Sequence, residues 1–388
     1  MNILHVVSSF TPCFSHGGVV NASYEIAKAQ VRDGHNVTVF TTDNCKERLN
    51  VKDNVNLDGI NVHYFRNISN SFKNTFTIDS PLKLNSTLKK EISSFDIIHI
   101  HEHRHTLAIL TVKHALKQKI PYVLQSHGSV LPFFQKESLK KIFDKLWGFK
   151  ILHNASKVFA LTEVEKEQYL KMGILEDKIE IVPLGINLKD YENLPSKGNF
   201  RLKHNFSNDS KLLLFLGRIH EIKGLDLAIE SLNLLKNEDY KLAIVGEDYG
   251  FKSTLEKLIK KYSIEDKVIF TGPLYKNDKK EALIDCDVFL MPSRYESFTT
   301  SGLEAMACST PLILTNNNHI CSWVNNNVGI CCNYDKKELS IAINELLDNV
   351  DLMDKFSKKG LELVKTKYNW NIIDKNIIQI YNDVIKLK

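Results

Sequence analysis

Short β-branched runs alternate with longer amphipathic segments along the whole chain, and no other feature restricts the possible folds so tightly. In the first half the runs are "NILHVV", "NVTVFT", "GINVHYF", "DIIHIH", "PYVLQS", "KVFAL" and "KIEIVP". Between them lie helical patterns such as "GVVNASYEIAKAQVRDG", where Val20, Tyr24, Ala27 and Val31 recur near one face and Gly34 ends the helix. The second half repeats the order with "KLLLFLG", "KLAIVGE", "KVIFTG", "DVFLMPS" and "PLILT". Strands alternating with helices build a parallel sheet covered on both faces, so the sequence predicts an α/β fold with two Rossmann-like domains in series. Residues 183–200, "PLGINLKDYENLPSKGNF", carry two prolines, two glycines and no hydrophobic period. They read as the linker. The predicted domains are therefore 1–184 and 185–366, with 367–388 as a terminal helix. Two such sheets are expected to form a cleft, with ligands at the carboxyl ends of the strands.

Composition excludes several other classes. The 388 residues suffice for two domains, and 43% hydrophobic with 25% charged residues is a globular balance. No apolar run approaches ~18 residues, so no membrane-spanning helix is expected. The first residues read directly as a strand, so no signal peptide is expected. The net charge of +5 lies within residues 1–190, which hold 24 basic and 19 acidic residues. This surplus suits an anionic surface or substrate on that half, but it is too diffuse for a nucleic-acid binder. The seven cysteines are odd in number and contain no CxxC. Reduced thiols and a cytoplasmic location are expected, without a disulfide framework or a zinc site.

Several motifs follow predicted strands. In "LLLFLGRIHEIKGLDLAI", Arg218 and Lys223 lie between a strand and a helix start, where a planar fork, a mobile cation and free N–H groups suit a phosphate or diphosphate. A solvated loop with two cations is the alternative. In "RYESFTTSGLEAMACSTP", Ser297 to Gly302 bring small residues to a helix N-terminus between Glu296 and Glu304. An anion suits the N-terminus, and the carboxylates suit sugar or ribose hydroxyls. Ordinary capping and surface charge are the alternative. Gly17 and Gly18 open the first helix, either for close approach of a ligand or for a tight turn. His127 ends a strand before Gly128, either at a cleft edge or buried and satisfied.

"HIHEHRH" alternates His99, His101, His103 and His105, which a straight strand would set on one face. The segment is expected to turn after Glu102, and no Cys or Asp lies nearby. Packing or an acceptor-lining strand end is favoured over a metal. Finally, Leu139, Ile142, Phe143, Leu146 and Trp147 form a helical stripe among Lys136, Lys140, Lys141, Lys145 and Lys150. Such a helix either packs its stripe into the core or lies on an anionic bilayer.

Together these pieces resemble the retaining GT-B glycosyltransferases, the large group called family 4 or glycosyl transferases group 1. The resemblance covers nearly the whole chain through "HGGVVNASYEIAKAQVRDGHNVTVFT", "DIIHIHEHR", "SHGSVLP", "KIEIVPLGIN", "LGRIHEIKG", "LAIVGE" and "ESFTTSGLEAMACSTPLI". The last is the most specific, with a glutamate, seven residues and a second glutamate. The resemblance implies a GT-B fold, two Rossmann-like domains facing each other across a cleft, with the terminal helix returning to the first. It implies that Arg218 and Lys223 bind the donor diphosphate and stabilise the leaving group in place of a metal. Glu304 would bind the ribose and Glu296 the donor sugar. Ser297, Phe298, Thr299 and Leu303 would line the donor site, with the amides of Phe298 and Thr299 holding sugar and phosphate. Gly18 would make room for the diphosphate, His127 would lie beside the anomeric carbon, and Gly17 and Glu102 would face the acceptor. Thr299 stands where the family usually has Gly, Ser309 replaces another Gly, and Leu184 and Asn187 alter the usual "PNGID".

The expected activity is hexosyl transfer from a nucleotide-diphosphate sugar to a glycan or lipid-linked glycan, without cofactor or metal. The expected location is cytoplasmic, with possible peripheral contact to an anionic membrane through residues 133–150. Competing readings are an epimerase or phosphorylase on the same fold, or a non-catalytic sugar-nucleotide or glycan-binding subunit. Release of nucleoside diphosphate on adding acceptor separates an enzyme from a binding module.

Overall fold

Eight strands make the first sheet of the computed structural model, which describes residues 1–13, 17–45, 47–68, 79–132, 136–236 and 239–387. They are β1 (Asn2–Val6), β2 (Asn36–Thr42), β3 (Asn54–Leu57), β4 (Ile60–Phe65), β5 (Ile97–His101), β6 (Tyr122–Gln125), β7 (Lys157–Ala160) and β8 (Ile179–Ile181). Their order is β3-β4-β2-β1-β5-β6-β7-β8, and every pairing is parallel except β3 with β4. That hairpin turns at Asp58-Gly59, where both residues have positive φ. The second sheet holds β9 (Lys211–Leu216), β10 (Tyr240–Val245), β11 (Val268–Gly272), β12 (Val288–Met291), β13 (Leu312–Thr315) and β14 (Gly329–Cys332) in the order β11-β10-β9-β12-β13-β14. This is the Rossmann order 3-2-1-4-5-6.

The chain divides into two compact units, Met1–Leu184 with Trp370–Lys388, and Gly185–Asn369. Leu184 and Ile186, within the segment read as a linker, are buried. The helices that bear on the sites are α1 (Gly18–Arg32), α2 (Thr106–Gln118), α3 (Glu163–Lys171), α4 (Thr300–Ala307) and α5 (Trp370–Lys386). Helix α5 buries Ile373, Ile377, Ile380, Tyr381 and Val384 along one face, and it packs on α1 of the first unit. Each fully buried aliphatic side chain contributes about 1.5–3 kcal/mol. Among the described residues no helix is long and apolar enough to cross a membrane.

The cysteines differ from the sequence expectation. Cys13 pairs with Cys45, their Cα atoms 5.5 Å apart, and Cys321 pairs with Cys331 at 6.0 Å. Cys13 and Cys45 follow the neighbouring strands β1 and β2, so topology brings together thiols that their spacing does not suggest. Cys286, Cys308 and Cys332 remain free and buried.

Candidate functional site

An open parallel sheet leaves a crevice where the strand order reverses, at the carboxyl ends of the strands. In the second unit this switch point lies between β9 and β12, which are paired. The loop after β9 carries Arg218 and Lys223, and the loop after β12 carries Glu296. Gly224 lets the two loops meet. It takes φ 65°, and a Cβ there would stand 1.9 Å from the Pro292 carbonyl oxygen. Any side chain would push the loops apart. Ile222 accepts a hydrogen bond from the Arg294 amide at 2.8 Å, and the Arg294 guanidinium is bidentate on Asp226, which opens the following helix.

These contacts set Lys223 against Glu296, and the ammonium donates to the carboxylate. Arg218 is exposed, its guanidinium 5.3 Å from the Tyr249 ring centre. His220 lies near both cations and is held below its ordinary pKa, first by burial and then by Arg218, with Lys223 adding to it. Glu304, on α4, accepts from Lys279 at 2.8 Å, and Tyr191 also hydrogen-bonds to it. Thr299 caps α4, its hydroxyl accepting from the Gly302 amide at 3.1 Å. Its φ of −92° suits any residue, so a β-branched side chain is tolerated where a glycine was expected. The amides of Phe298 and Thr299 have no acceptor among the described residues. Ser297 is half-buried, whereas the Phe298 and Leu303 side chains turn into the core.

In the first unit the order reverses between β1 and β5. Gly17, with φ 66°, precedes α1, and Gly18 begins it. A Cβ on either would meet nothing within 4 Å. Glu102 leaves β5 in the left-handed region and its amide donates to the Gln125 carbonyl at 2.7 Å. The segment therefore turns after His101. His99 and His101 share a face, His103 faces Asp144, and His105 caps α2 by accepting from the Ala108 amide at 3.2 Å. His127 is also left-handed, with φ 51°, and half-buried. Glu165 on α3 anchors its loop. One carboxylate oxygen accepts from the Gly128 amide and the other from the Leu161 amide, both at 2.6 Å. Burial pushes Glu165 up to about 7 despite these bonds. Burial also lowers His127 to about 3, so its ring is neutral at physiological pH.

Arg104 ties the next turn. It grips Asp144 with two bonds, of 2.8 and 2.7 Å, and donates to the Ser129 and Val130 carbonyls. Asp144 is thereby turned inward on the segment 137–153, and Gly148 is buried beside it. This rotation exposes Leu139, Ile142, Leu146, Trp147 and Phe149 instead of packing them, while Phe143 still touches the core. Residues 133–135 of the proposed membrane segment lie outside the described residues.

The family descriptions of known proteins bear on both units. "Glycosyl transferases group 1" matches residues 196–363, and "Glycosyltransferase Family 4" matches residues 16–190. The chain belongs to the group 1, family 4-like glycosyltransferases. This glycosyltransferase is 25% identical over 382 residues to an uncharacterized glycosyltransferase of Methanocaldococcus jannaschii, covering 96% of this chain and 95% of the relative. Among solved structures it matches sucrose-phosphate synthase from Thermosynechococcus elongatus with a TM-score of 0.79, at 20% identity over 100% of both chains. It matches HepE from Anabaena, in complex with UDP-glucose, with a TM-score of 0.79 at 18% identity, over 99% of this chain and 100% of that one. The fold of the glycosyltransferase is GT-B.

Sequence reasoning missed Lys279, Glu165, Asp144 and Gly224. Glu165 and Lys279 lie on ordinary-looking polar helices, and only topology places them beside the loops. Gly224 carried a signal, since a glycine directly before a helix marks a positive φ.

Proposed function

We propose that this glycosyltransferase moves a sugar from a nucleotide-diphosphate donor to a glycan or glycolipid, with retention of anomeric configuration and without a metal. One observation carries the reading. Both glutamates that frame the loop after β12 are part-buried and held by lysines, Glu296 by Lys223 and Glu304 by Lys279. A ligand with both phosphate and hydroxyl groups can replace both partners at once. Phosphate oxygens accept from Lys223, Arg218 and the free amides of Phe298 and Thr299. Sugar and ribose hydroxyls donate to Glu296 and Glu304. The anion gains cations and the carboxylates keep hydrogen-bond donors, so no charge is left bare.

The chemistry follows from where charge develops. Breaking the bond between sugar and diphosphate loads negative charge on phosphate and positive charge on the ring. Arg218 and Lys223 supply donors for the first, a term often worth about 3–4 kcal/mol per donor removed. His127 presents a neutral imidazole to a sugar hydroxyl. Two carboxylates flanking the scissile bond, as in retaining glycosidases, have no counterpart in this assignment. The departing phosphate then takes the acceptor proton on the same face. Gly17, Gly18 and Glu102 are assigned to the donor and acceptor in the first unit. The HepE complex with UDP-glucose supports a nucleotide-sugar donor.

The exposed stripe of Leu139, Ile142, Leu146, Trp147 and Phe149 lies among Lys136, Lys141, Lys145 and Lys150. It supports a peripheral station on an anionic membrane and hence a lipid-linked acceptor. Calorimetric titration with UDP-, GDP- and ADP-sugars tests the donor reading. One class is expected to bind, with affinity lost in Lys223→Ala; binding of none would count against it.

A further inference from the structure

Beneath His127 three imidazoles and an amide stand end to end inside the first unit. His127 Nε2 is 2.9 Å from His101 Nδ1, and His101 Nε2 is 2.9 Å from His5 Nδ1. His5 Nε2 is 2.8 Å from Gln30 Oε1. The strands explain the alignment. His5 sits in β1 beside His99 in β5, and His101 follows two residues on, facing the same side. His5, Gln30, His99 and His101 are completely buried. Burial lowers His5 to about 4, and His99 and His101 fall well below the ordinary histidine value. All are neutral at physiological pH.

A neutral imidazole has one N–H donor and one bare nitrogen. Neighbours in such a chain must therefore run in one direction, and whatever fixes one end fixes the other. Gln30 is the end with two distinct groups. The Gln30 amide lies near Asp374 and Tyr381 on α5 and favours the charged form of both, while its NH2 group and the Asp374 carboxylate oxygens make no hydrogen bond of their own among the described residues. Gln30 Oε1 is the atom that meets His5 Nε2, at 2.8 Å, and the nearby Asp374 carboxyl, which bears only acceptor oxygens when ionised, favours this orientation by attracting the NH2 group to its own side. His5 then donates from Nε2 and accepts at Nδ1. His101 donates from Nε2 and accepts at Nδ1, and His127 donates from Nε2.

We propose that Gln30, through His5 and His101, fixes His127 as the Nε2–H tautomer and leaves Nδ1 as an acceptor for a substrate hydroxyl. Gln30, His5 and His101 are positioning residues, and none touches substrate. His127 Nδ1 has no protein partner among the described residues. The inference rests on the reading of His127 as substrate-facing. The His5, His99 and His101 nitrogens also lie within 4.8 Å of one another, a spacing compatible with metal ligands. However, both nitrogens of His5 and of His101 are engaged in the chain, and His99 Nδ1 meets the Tyr381 hydroxyl at 2.7 Å. A cation there would have to break the series.

The test needs no substrate, so it is separate from whether the donor reading holds. Long-range proton–nitrogen correlation of the full chain with 15N-histidine reports which ring nitrogen is protonated, with His127 assigned through His127→Gln. At neutral pH wild-type His127 is expected as Nε2–H alone. His5→Phe removes the acceptor for His101 and is expected to give a mixture of tautomers at His127. His5→Gln returns an acceptor oxygen and is expected to restore the single form. Should His5→Phe not fold, Gln30→Met cuts the series at its far end with the same expected mixture. A wild-type His127 protonated on Nδ1 overturns the proposal, and so does an unchanged tautomer in the cut variants.

Discussion

Lys223 and Glu296 are joined in an ion pair although they lie in different loops, one after β9 and one after β12. Their side chains are only 15% and 13% exposed, so the pair is shielded from water and from salt. Gly224 makes it possible by letting the backbone reach the Pro292 carbonyl. A ligand that binds here must offer an anion to one member and a hydrogen-bond donor to the other.

Glu304→Gln tests the ribose assignment. It frees Lys279 and removes the charge that ribose hydroxyls would meet. The expected outcome is a rise of about 10-fold in donor KM with little change in kcat, as for loss of uniform binding. Steady-state kinetics over donor concentration measures it. An equal fall in kcat and kcat/KM would assign Glu304 to the reacting centre instead.

Asp144→Ala tests the anchor of the segment 137–153. Burial would raise the Asp144 pKa, but the nearby His103 ring, its Nε2 3.5 Å away, and the two Arg104 bonds with the guanidinium charge hold it below the ordinary value. Its stabilisation is therefore present above the unfolded carboxylate pKa and fades as pH falls through the lower folded value. Removing one partner of a buried pair costs about 3–5 kcal/mol. Urea unfolding at neutral pH is expected to register a loss of that order.

Acid should weaken the first unit well before its carboxylates titrate out. His5 and His103 are lowered to about 4 and His127 to about 3, from 6.5. Below 6.5 the unfolded chain takes up protons that these folded histidines refuse, so stability falls as pH drops from about 6.5 towards 4. Glu165 and Asp374, each raised to about 7, oppose this, because the folded state holds their protons more firmly. The buried histidines, with His99 and His101 added, outnumber them. Denaturation midpoints at stepwise lower pH are expected to decline, and His5→Gln is expected to flatten the slope.

Membrane contact is tested by reversing Lys141, Lys145 and Lys150 to Glu. Lys140 is better left alone, since burial and the nearby Arg104 charge lower its pKa and mark it as part of the anchored face. Each basic residue near an anionic surface contributes about 1 kcal/mol. Co-sedimentation with phosphatidylglycerol vesicles is expected to fall by more than tenfold. Equal sedimentation of the variant would remove the membrane station.

Much of the fold was legible because burial on both faces writes parallel strands as uninterrupted β-branched runs. Two strands escaped. β3 is short and half-exposed, although Asp58-Gly59 marked its turn, and β14 hides in "GICC". The placement of Arg218, Lys223 and Glu296 at the switch point was legible because each lies in the loop after one of its strands. Lys279, Glu165 and Asp144 were not, since a charge on a helix reads as solvated until topology places its partner. The stripe from Leu139 to Trp147 had the right period but left its direction open. The inward turn of Asp144, fixed by Arg104 and His103, decides it.

Turnover by Lys223→Ala beside wild type, with whichever nucleotide sugar binds, tests the central claim most directly. The glycosyltransferase is expected to release nucleoside diphosphate when acceptor is added. The variant is expected to fold, with an unfolding midpoint lowered by loss of the part-buried pair with Glu296, and to fall by about 100-fold or more in kcat. A variant that folds and turns over at a near-normal rate would contradict the assignment of this ammonium to the departing diphosphate.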